Sequence, residues 1–154
     1  MKNLYITSAS RTAVGSLGKS LKNESSEKLG SSVISDAIKK SNIKEIEVDE
    51  VIMGQVLTGG TGQNPARQAA MHSGIPKEKP AYVVNQVCGS GLRSVISGFQ
   101  TLNGITGQQC LQHGAKSISF VLTPRFLQKA SMASFWQYCS GVVLHFSFPK
   151  ENSL

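Results

Sequence analysis

One cysteine, Cys88, lies between an apolar segment and two nearby glycines in the stretch NQVCGSGLRSVI, residues 85–96. A thiol in such a place can pack in the core, bind a metal, form a disulfide or attack an electrophile. Gly89 and Gly91 carry no side-chain bulk, so a substrate carbonyl could come close to the sulfur. The stretch therefore makes Cys88 the first candidate for nucleophilic chemistry.

The cysteine pattern argues against two of these four roles. The other cysteines are Cys110 and Cys139, and the spacings of 22 and 29 residues match no zinc-binding pattern. The first residues turn polar too early for a secretory signal peptide, so we expect a cytoplasmic, reducing setting in which disulfides are rare. Packing and nucleophilic attack remain open for Cys88.

Composition limits the class of protein. The chain has 154 residues, 40% of them hydrophobic and 16% charged, which is typical of one globular domain. No apolar run is long enough to span a membrane. The net charge is +7, but lysines are mixed with acids in stretches such as KSNIKEIEVDE. We therefore expect neither a nucleic-acid partner nor a membrane partner.

Strand and helix signals alternate along the first hundred residues. Short runs rich in β-branched and aromatic residues predict strands at 4–8, 49–57 and 81–87. Apolar residues at three- and four-residue steps predict a helix that starts near Ser25 or Ser26. A second helix is predicted at 64–74.

The second and third helices carry clear local signals. Asn64 can cap the second helix, Pro65 suits its first position, and Gly74 suits the position after its last turn. The third helix is predicted directly after Cys88, since apolar residues recur at i, i+3, i+4 and i+7: Leu92, Val95, Ile96 and Phe99. The order β-α-β-α-β-α predicts an α/β fold whose mainly parallel sheet is flanked by helices.

Cys88 then falls where a strand meets a helix. Unpaired N–H groups and the positive end of the helix dipole favour a thiolate there. The same amides could hold a developing oxyanion, which points to a thioester-forming nucleophile. A small cysteine that only packs remains the alternative on these grounds.

The segment VCGSGLRSV resembles the acyl-cysteine segment of the thiolases, the acetyl-CoA C-acetyltransferases. SASRTAVGSLGKSL, VDEVIMGQVL and GQNPARQAA resemble further segments of that family, in the same order, across about residues 1–102. The resemblance implies a thiolase-like amino-terminal half with a mixed, mainly parallel sheet. It also implies that Cys88 becomes acylated and that its backbone N–H helps to bind the oxyanion.

The reaction implied is a Claisen-type exchange between coenzyme A thioesters, with two acetyl-CoA giving acetoacetyl-CoA, or the reverse thiolysis. The thioesters are substrates, and neither a bound cofactor nor a metal is expected. In thiolases a histidine and a second cysteine come from a second half, before which this chain stops. We therefore expect the isolated chain to be inactive and, if folded, to form a homo-oligomer. The alternative is a non-catalytic remnant that acts by subunit association.

Residues 103–154 do not match that resemblance. They contain one acid, four bases and seven of the ten aromatic residues, against eight acids, twelve bases and three aromatics in residues 1–102. This shift favours an altered reading frame or gene fragment that packs poorly, over a divergent extension. By content, SISFVLT and SGVVLHFSF predict strands, and PRFLQKASMASFWQY predicts a helix.

The remaining candidates have simpler interpretations. We expect His72 to be a surface residue near a helix end, and we assign no activation of Cys88 to His113 or His145. Cys110 and Cys139 lack glycine surroundings, so we read them as packing or incidental thiols. Arg67 and Arg93 are expected in surface or intersubunit salt bridges. The loop GGTGQNP lacks the ending of a phosphate-binding loop.

Overall fold

A computed structural model describes residues 4–16 and 18–103, together with the backbone of residues 117–122 and 142–147. The elements run β-α-β-α-β-α and then add two strands, which confirms the predicted order. Their bounds are β1 Tyr5–Arg11, α1 Ser26–Lys40, a 3-10 turn Glu45–Glu47, β2 Glu50–Gly54, α2 Pro65–His72, β3 Ala81–Val84, α3 Ser90–Leu102, β4 Ser117–Leu122 and β5 Val142–Ser147.

The five strands form one mixed sheet in the order β1-β5-β4-β2-β3. β2 is parallel to β3 and to β4, whereas β5 is antiparallel to both β4 and β1. Among the described strands, β5 therefore runs against the other four. The predicted mainly parallel, mixed sheet is confirmed.

Both strand predictions beyond Leu102 are confirmed, as β4 and β5. β4 pairs with β2, and β5 lies between β4 and β1. The helix predicted at 124–138 lies outside the described residues.

β2 is a buried interior strand between β4 and β3, and its side chains alternate between the two faces of the sheet. Val51 and Met53 face α1 and α2, where they join the larger apolar cluster. Ile52 faces α3 and packs with a smaller cluster around Leu102. The larger cluster consists of Val33, Ile34, Ala37, Ile38, Val48, Val51, Met53, Ala66, Ala69, Ala70 and Ile75.

α3 turns a different kind of surface to the sheet. Its buried residues are mostly small or polar: Ser90, Ser94, Ser97, Gly98, Thr101 and Leu102. Three of the four apolar residues that predicted the helix are exposed, with Leu92 at 67%, Phe99 at 43% and Ile96 at 38%. Val95 packs partly against the smaller cluster. The apolar period thus found the helix, but most of that face points away from the sheet.

The strand ends differ from the sequence predictions. β1 runs on to Arg11, whereas β2 stops at Gly54 and β3 at Val84, each three residues before the predicted end. After Val84 the side chain of Asn85 bonds to the backbone of the turn, which ends the strand. The α2 signals were correct, since Asn64 accepts a hydrogen bond from the Arg67 N–H and Gly74 has φ +82°.

Candidate active site

The candidate nucleophile lies in the turn that joins β3 to α3. Cys88 is exposed and comes two residues before the first residue of α3, which is the junction that the sequence predicted. Val87, directly before it, has φ +49°, a left-handed conformation that β-branched residues rarely adopt. The turn that presents Cys88 therefore holds a strained residue, and its neighbours must keep it in place.

Asn85 holds this turn from the strand side. Its Oδ1 accepts a hydrogen bond from the Val87 N–H at 3.0 Å. Its Nδ2 donates to the Val56 carbonyl at 2.9 Å, which ties the turn to the segment after β2. One side chain thus links the ends of two adjacent parallel strands.

Ser90 holds the same turn from the helix side. Its side chain is buried, and its Oγ accepts from the Gln86 N–H at 2.9 Å and donates to the Val87 carbonyl at 2.6 Å. The Ser90 N–H donates to the Val87 carbonyl as well, at 3.1 Å. Two donors of one residue therefore fix the carbonyl just before Cys88.

Gly54 lets the start of α3 rest on the end of β2. A Cβ added at Gly54 would lie 2.5 Å from the Ser90 carbonyl oxygen and 2.7 Å from the Gly91 N. Such distances are far inside van der Waals contact, and backbone atoms cannot swing away as a side-chain end can. The absence of a side chain at Gly54 is what allows α3 to begin this close to the sheet.

A charged and a polar residue lie on the α3 side of the sheet. Burial raises the pKa of Glu50, with a smaller contribution from Asp49. Burial and the nearby Glu50 raise the pKa of Tyr82 to about 12, against a lowering effect from Arg93. The Tyr82 phenol is therefore neutral throughout the physiological pH range.

The site is suited to one kind of chemistry. An exposed thiol stands at a helix start, where N–H groups without intrahelical partners and the dipole favour negative charge. Gly89 and Gly91, on either side of Ser90, carry no side chains that could obstruct the approach to the turn. The arrangement suits a nucleophilic thiol that attacks a carbonyl, while the Gly89 and Ser90 N–H groups are bonded within the turn to the Gln86 and Val87 carbonyls.

His72 and Arg67 lie on α2, which is a separate element from this turn. His72 is exposed at the end of α2, as predicted. Arg67 donates to the carbonyls of Lys77 and Lys79, and its surface or intersubunit salt bridge stays a prediction. Arg93 is exposed on α3. Cys110, Cys139 and His113 lie outside the described residues, and of His145 only the backbone is described.

Three further predictions concern the glycine-rich loop, a metal site and a membrane span. Gln68 of α2 donates to the carbonyls of Thr61 and Gln63, which pins the glycine-rich loop to the helix. Across the residues that the structure describes, no three histidine, cysteine or acidic side chains cluster as a metal site would need. No helix within the described ranges has the length and apolar character to cross a bilayer.

Sequence reasoning missed three residues of the site: Gly54, Asn85 and Ser90. Gly54 closes an apolar strand run, which is a weak signal for a close backbone approach. Asn85 follows a strand run at a place where asparagine favours turns. Ser90 had no signal of its own, because its partners are defined only once the turn is folded.

A family model described as thiolase, N-terminal domain, matches residues 4–138. The chain belongs to the thiolase family. The matched range continues past Leu102 and includes the described strand β4.

Curated relatives agree with this family. The chain is 45% identical over 117 residues to an acetyl-CoA acetyltransferase of Rhizobium meliloti (strain 1021), covering 76% of this chain and 30% of the relative. It is 43% identical over 135 residues to one from Escherichia coli (strain K12), covering 88% and 34%. A Clostridioides difficile protein of the same name is 53% identical over 94 residues, covering 61% of this chain and 88% of that one.

A solved structure shares the fold. It is the Acat5 thiolase from Ascaris suum in complex with coenzyme A, with a TM-score of 0.73 and 29% identity. The likeness covers 86% of this chain and 34% of that one. The chain spans about a third of the length of the Rhizobium and Escherichia relatives and of this thiolase.

Proposed function

We propose that this chain carries the acyl-accepting part of a thiolase-type acyltransferase, with Cys88 as the residue that becomes acylated. The observation that carries the proposal is the exposed thiol in a strained turn at the start of α3, in a chain of the thiolase family. The names of the relatives and the coenzyme A bound to the Ascaris thiolase support acyl-CoA as the substrate class.

The acylation step needs no redox partner. The Cys88 thiolate attacks the thioester carbonyl carbon, a C–S bond forms, and the carbonyl electron pair moves to oxygen. The pair returns as the bond to the coenzyme A sulfur breaks. Coenzyme A leaves as a thiolate and takes up a proton from solvent, which balances the proton that Cys88 released.

The complete reaction is the transfer of this acyl group to a second acetyl-CoA, or its reverse. Removal of a proton next to a carbonyl requires a base, and a second base speeds acylation by activating the thiol, although a thioester can acylate a thiol slowly without one. We propose that these groups are supplied by sequence corresponding to the rest of the longer relatives. The expected behaviour of the 154-residue chain is therefore acylation without turnover.

Intact mass spectrometry tests the proposal. Incubation of the full chain with acetyl-CoA or acetoacetyl-CoA should add one acetyl group, and Cys88→Ala should abolish the adduct. The double variant Cys110→Ala/Cys139→Ala is the matched control and should keep it. A folded wild-type chain that gains no acetyl group would contradict the function.

A second candidate is a non-catalytic thiolase-fold protein that acts by association with another subunit. The exposed apolar residues of α3, Leu92, Ile96 and Phe99, favour it, because contiguous apolar surface marks interfaces. We propose a homo-oligomer in a reducing, cytoplasmic compartment for either candidate. Light scattering on the purified chain measures the oligomeric state, and a monomer at all concentrations would count against association.

We also propose that residues 1–102 and 103–154 do not share one design. The shift in charge and aromatic content supports an altered reading frame after about Leu102. Pairing of β4 and β5 within the sheet and the family match up to residue 138 favour a divergent extension instead. The nucleotide sequence around codon 103 decides between them, since a shifted frame would encode a further family-like segment.

A further inference from the structure

The peptide that joins Val87 to Cys88 is held by its carbonyl. That oxygen accepts from the Ser90 Oγ at 2.6 Å and from the Ser90 N–H at 3.1 Å, so it points toward the first turn of α3. In a trans peptide the N–H points opposite to the carbonyl. The N–H of Cys88 is therefore directed to the side of the turn away from Ser90.

We propose that the Ser90 hydroxyl is a positioning residue, which aims the Cys88 N–H at the oxygen of the thioester during acylation of Cys88. The proposal rests on the acylation function above and adds one residue to it. Ser90 does not touch the substrate. It acts through the orientation of one peptide plane, which decides where an oxyanion can be stabilised.

The surroundings of Ser90 hold its hydroxyl in one position. The residue is 3% exposed, and its hydroxyl makes two hydrogen bonds within the turn. Gly54 lies against its carbonyl, which fixes the backbone of the helix start. Val87 sits at φ +49°, a conformation from which the turn would relax if one of its restraints were removed.

The hydroxyl also closes the turn on its other side. Its Oγ accepts from the Gln86 N–H, so one atom bonds to the residues both one and two positions before Cys88. Removing the oxygen leaves the Gln86 N–H with one fewer partner and the Val87 carbonyl with a single donor from Ser90. The orientation of the Val87–Cys88 peptide would then be held by fewer restraints, with the Ser90 N–H still on the Val87 carbonyl.

Two reactions of the Cys88 thiol distinguish a positioning role of Ser90 from a general disturbance of the turn. Acylation by acetyl-CoA builds negative charge on a carbonyl oxygen, whereas alkylation by iodoacetamide displaces iodide at a saturated carbon and builds none there. Ser90→Ala in the full chain should slow acylation about 10-fold or more. It should change the alkylation rate of Cys88 less than about 3-fold, because the thiol itself is unchanged.

Ser94→Ala is the matched control. Ser94 is a buried serine one turn further along α3, and its Oγ donates to the Gly91 carbonyl at 2.7 Å. The ratio of acylation to alkylation rates should stay at the wild-type value in this variant. Equal ratios in Ser90→Ala and wild type, or an equal fall in Ser94→Ala, would overturn the positioning role.

A second pair of variants covers loss of folding by Ser90→Ala. Ser90→Thr and Ser90→Val have nearly the same shape, but only threonine keeps the hydroxyl. The rate ratio should be at least about 5-fold higher for Ser90→Thr than for Ser90→Val, and equal ratios would overturn the proposal. A wild-type chain that is alkylated but never acylated would refute the acylation function, and the role of Ser90 with it.

Discussion

The two faces of the sheet are built differently. Toward α1 and α2 the contacts are mostly apolar, with eleven buried residues in one cluster. Toward α3 the buried residues are mostly small and polar, and most apolar side chains of the helix face outward. Area buried on the first face stabilises the fold. Short side chains on the second face let a helix start approach the strand ends, where Cys88 stands.

The largest loss of stability should come from the first face. Ile34→Ala removes a fully buried side chain from the larger cluster and should lower the free energy of unfolding by about 2–5 kcal/mol. Urea denaturation measures this, and the acylation rate per folded molecule should not change. Ile46, which is exposed in the 3-10 turn, is the control: Ile46→Ala should stay within about 0.5 kcal/mol.

Gly54→Ala should have the second-largest effect, and it should distinguish the α3 face of the sheet from the α1 and α2 face. The added Cβ would collide with the Ser90 carbonyl, so α3 must shift, at a cost of about 1–3 kcal/mol. Unlike Ile34→Ala, this variant should also slow acylation of Cys88 in the molecules that remain folded. Gly59→Ala introduces a Cβ with nothing within 4 Å and should change neither quantity. Normal acylation in a folded Gly54→Ala chain would contradict the link between this glycine and the site.

Substitutions on the exposed side of α3 should weaken association and have little effect on folding. Leu92→Ser combined with Phe99→Ser should weaken self-association in light scattering at matched concentrations, because both side chains are exposed. The free energy of unfolding of the monomer should move by about 0.5 kcal/mol or less. Met71→Ser, at an exposed position of α2, should leave association unchanged. The same mass for the double variant and wild type would exclude α3 as the interface.

The smallest effect concerns Glu50 on the α3 side. Its pKa is raised in the folded protein, so folding favours the protonated form. Stability is then lost as pH rises through the ordinary value of 4.5 toward the folded value, and the loss persists at neutral pH. Glu50→Gln should raise the melting temperature at pH 7 and leave it nearly unchanged below pH ~4. Glu78→Gln, at an exposed position, serves as control; a gain that is equal at both pH values would contradict burial as the cause.

The order of elements and the position of Cys88 between a strand and a helix could be predicted from the sequence. Both depend on local periodicity and on capping residues such as Asn64 and Pro65. The sequence did not predict the strand order, since nothing in the β5 residues specifies that they pair with β1 and β4. The ends of β2 and β3 depend on the contacts of Asn85 with Val56 and of Gly54 with Ser90, which join distant segments. The sequence could not predict that the apolar face of α3 points away from the sheet, because periodicity identifies an apolar stripe but not the surface that packs against it.

The position of β5 bears on how the chain assembles. In the described sheet β1 pairs with β5 alone, and Tyr5 lies opposite Ser147. The β1 backbone must wait until residues 142–147 have been synthesised before it can pair with β5, which favours slow folding. In the interval α1 can hold β1 through the Ser8 hydroxyl on the Ala37 carbonyl and the Ser10 hydroxyl on Asp36. A ribosome-bound intermediate should therefore expose the edge of β1 to chaperones and to other nascent chains.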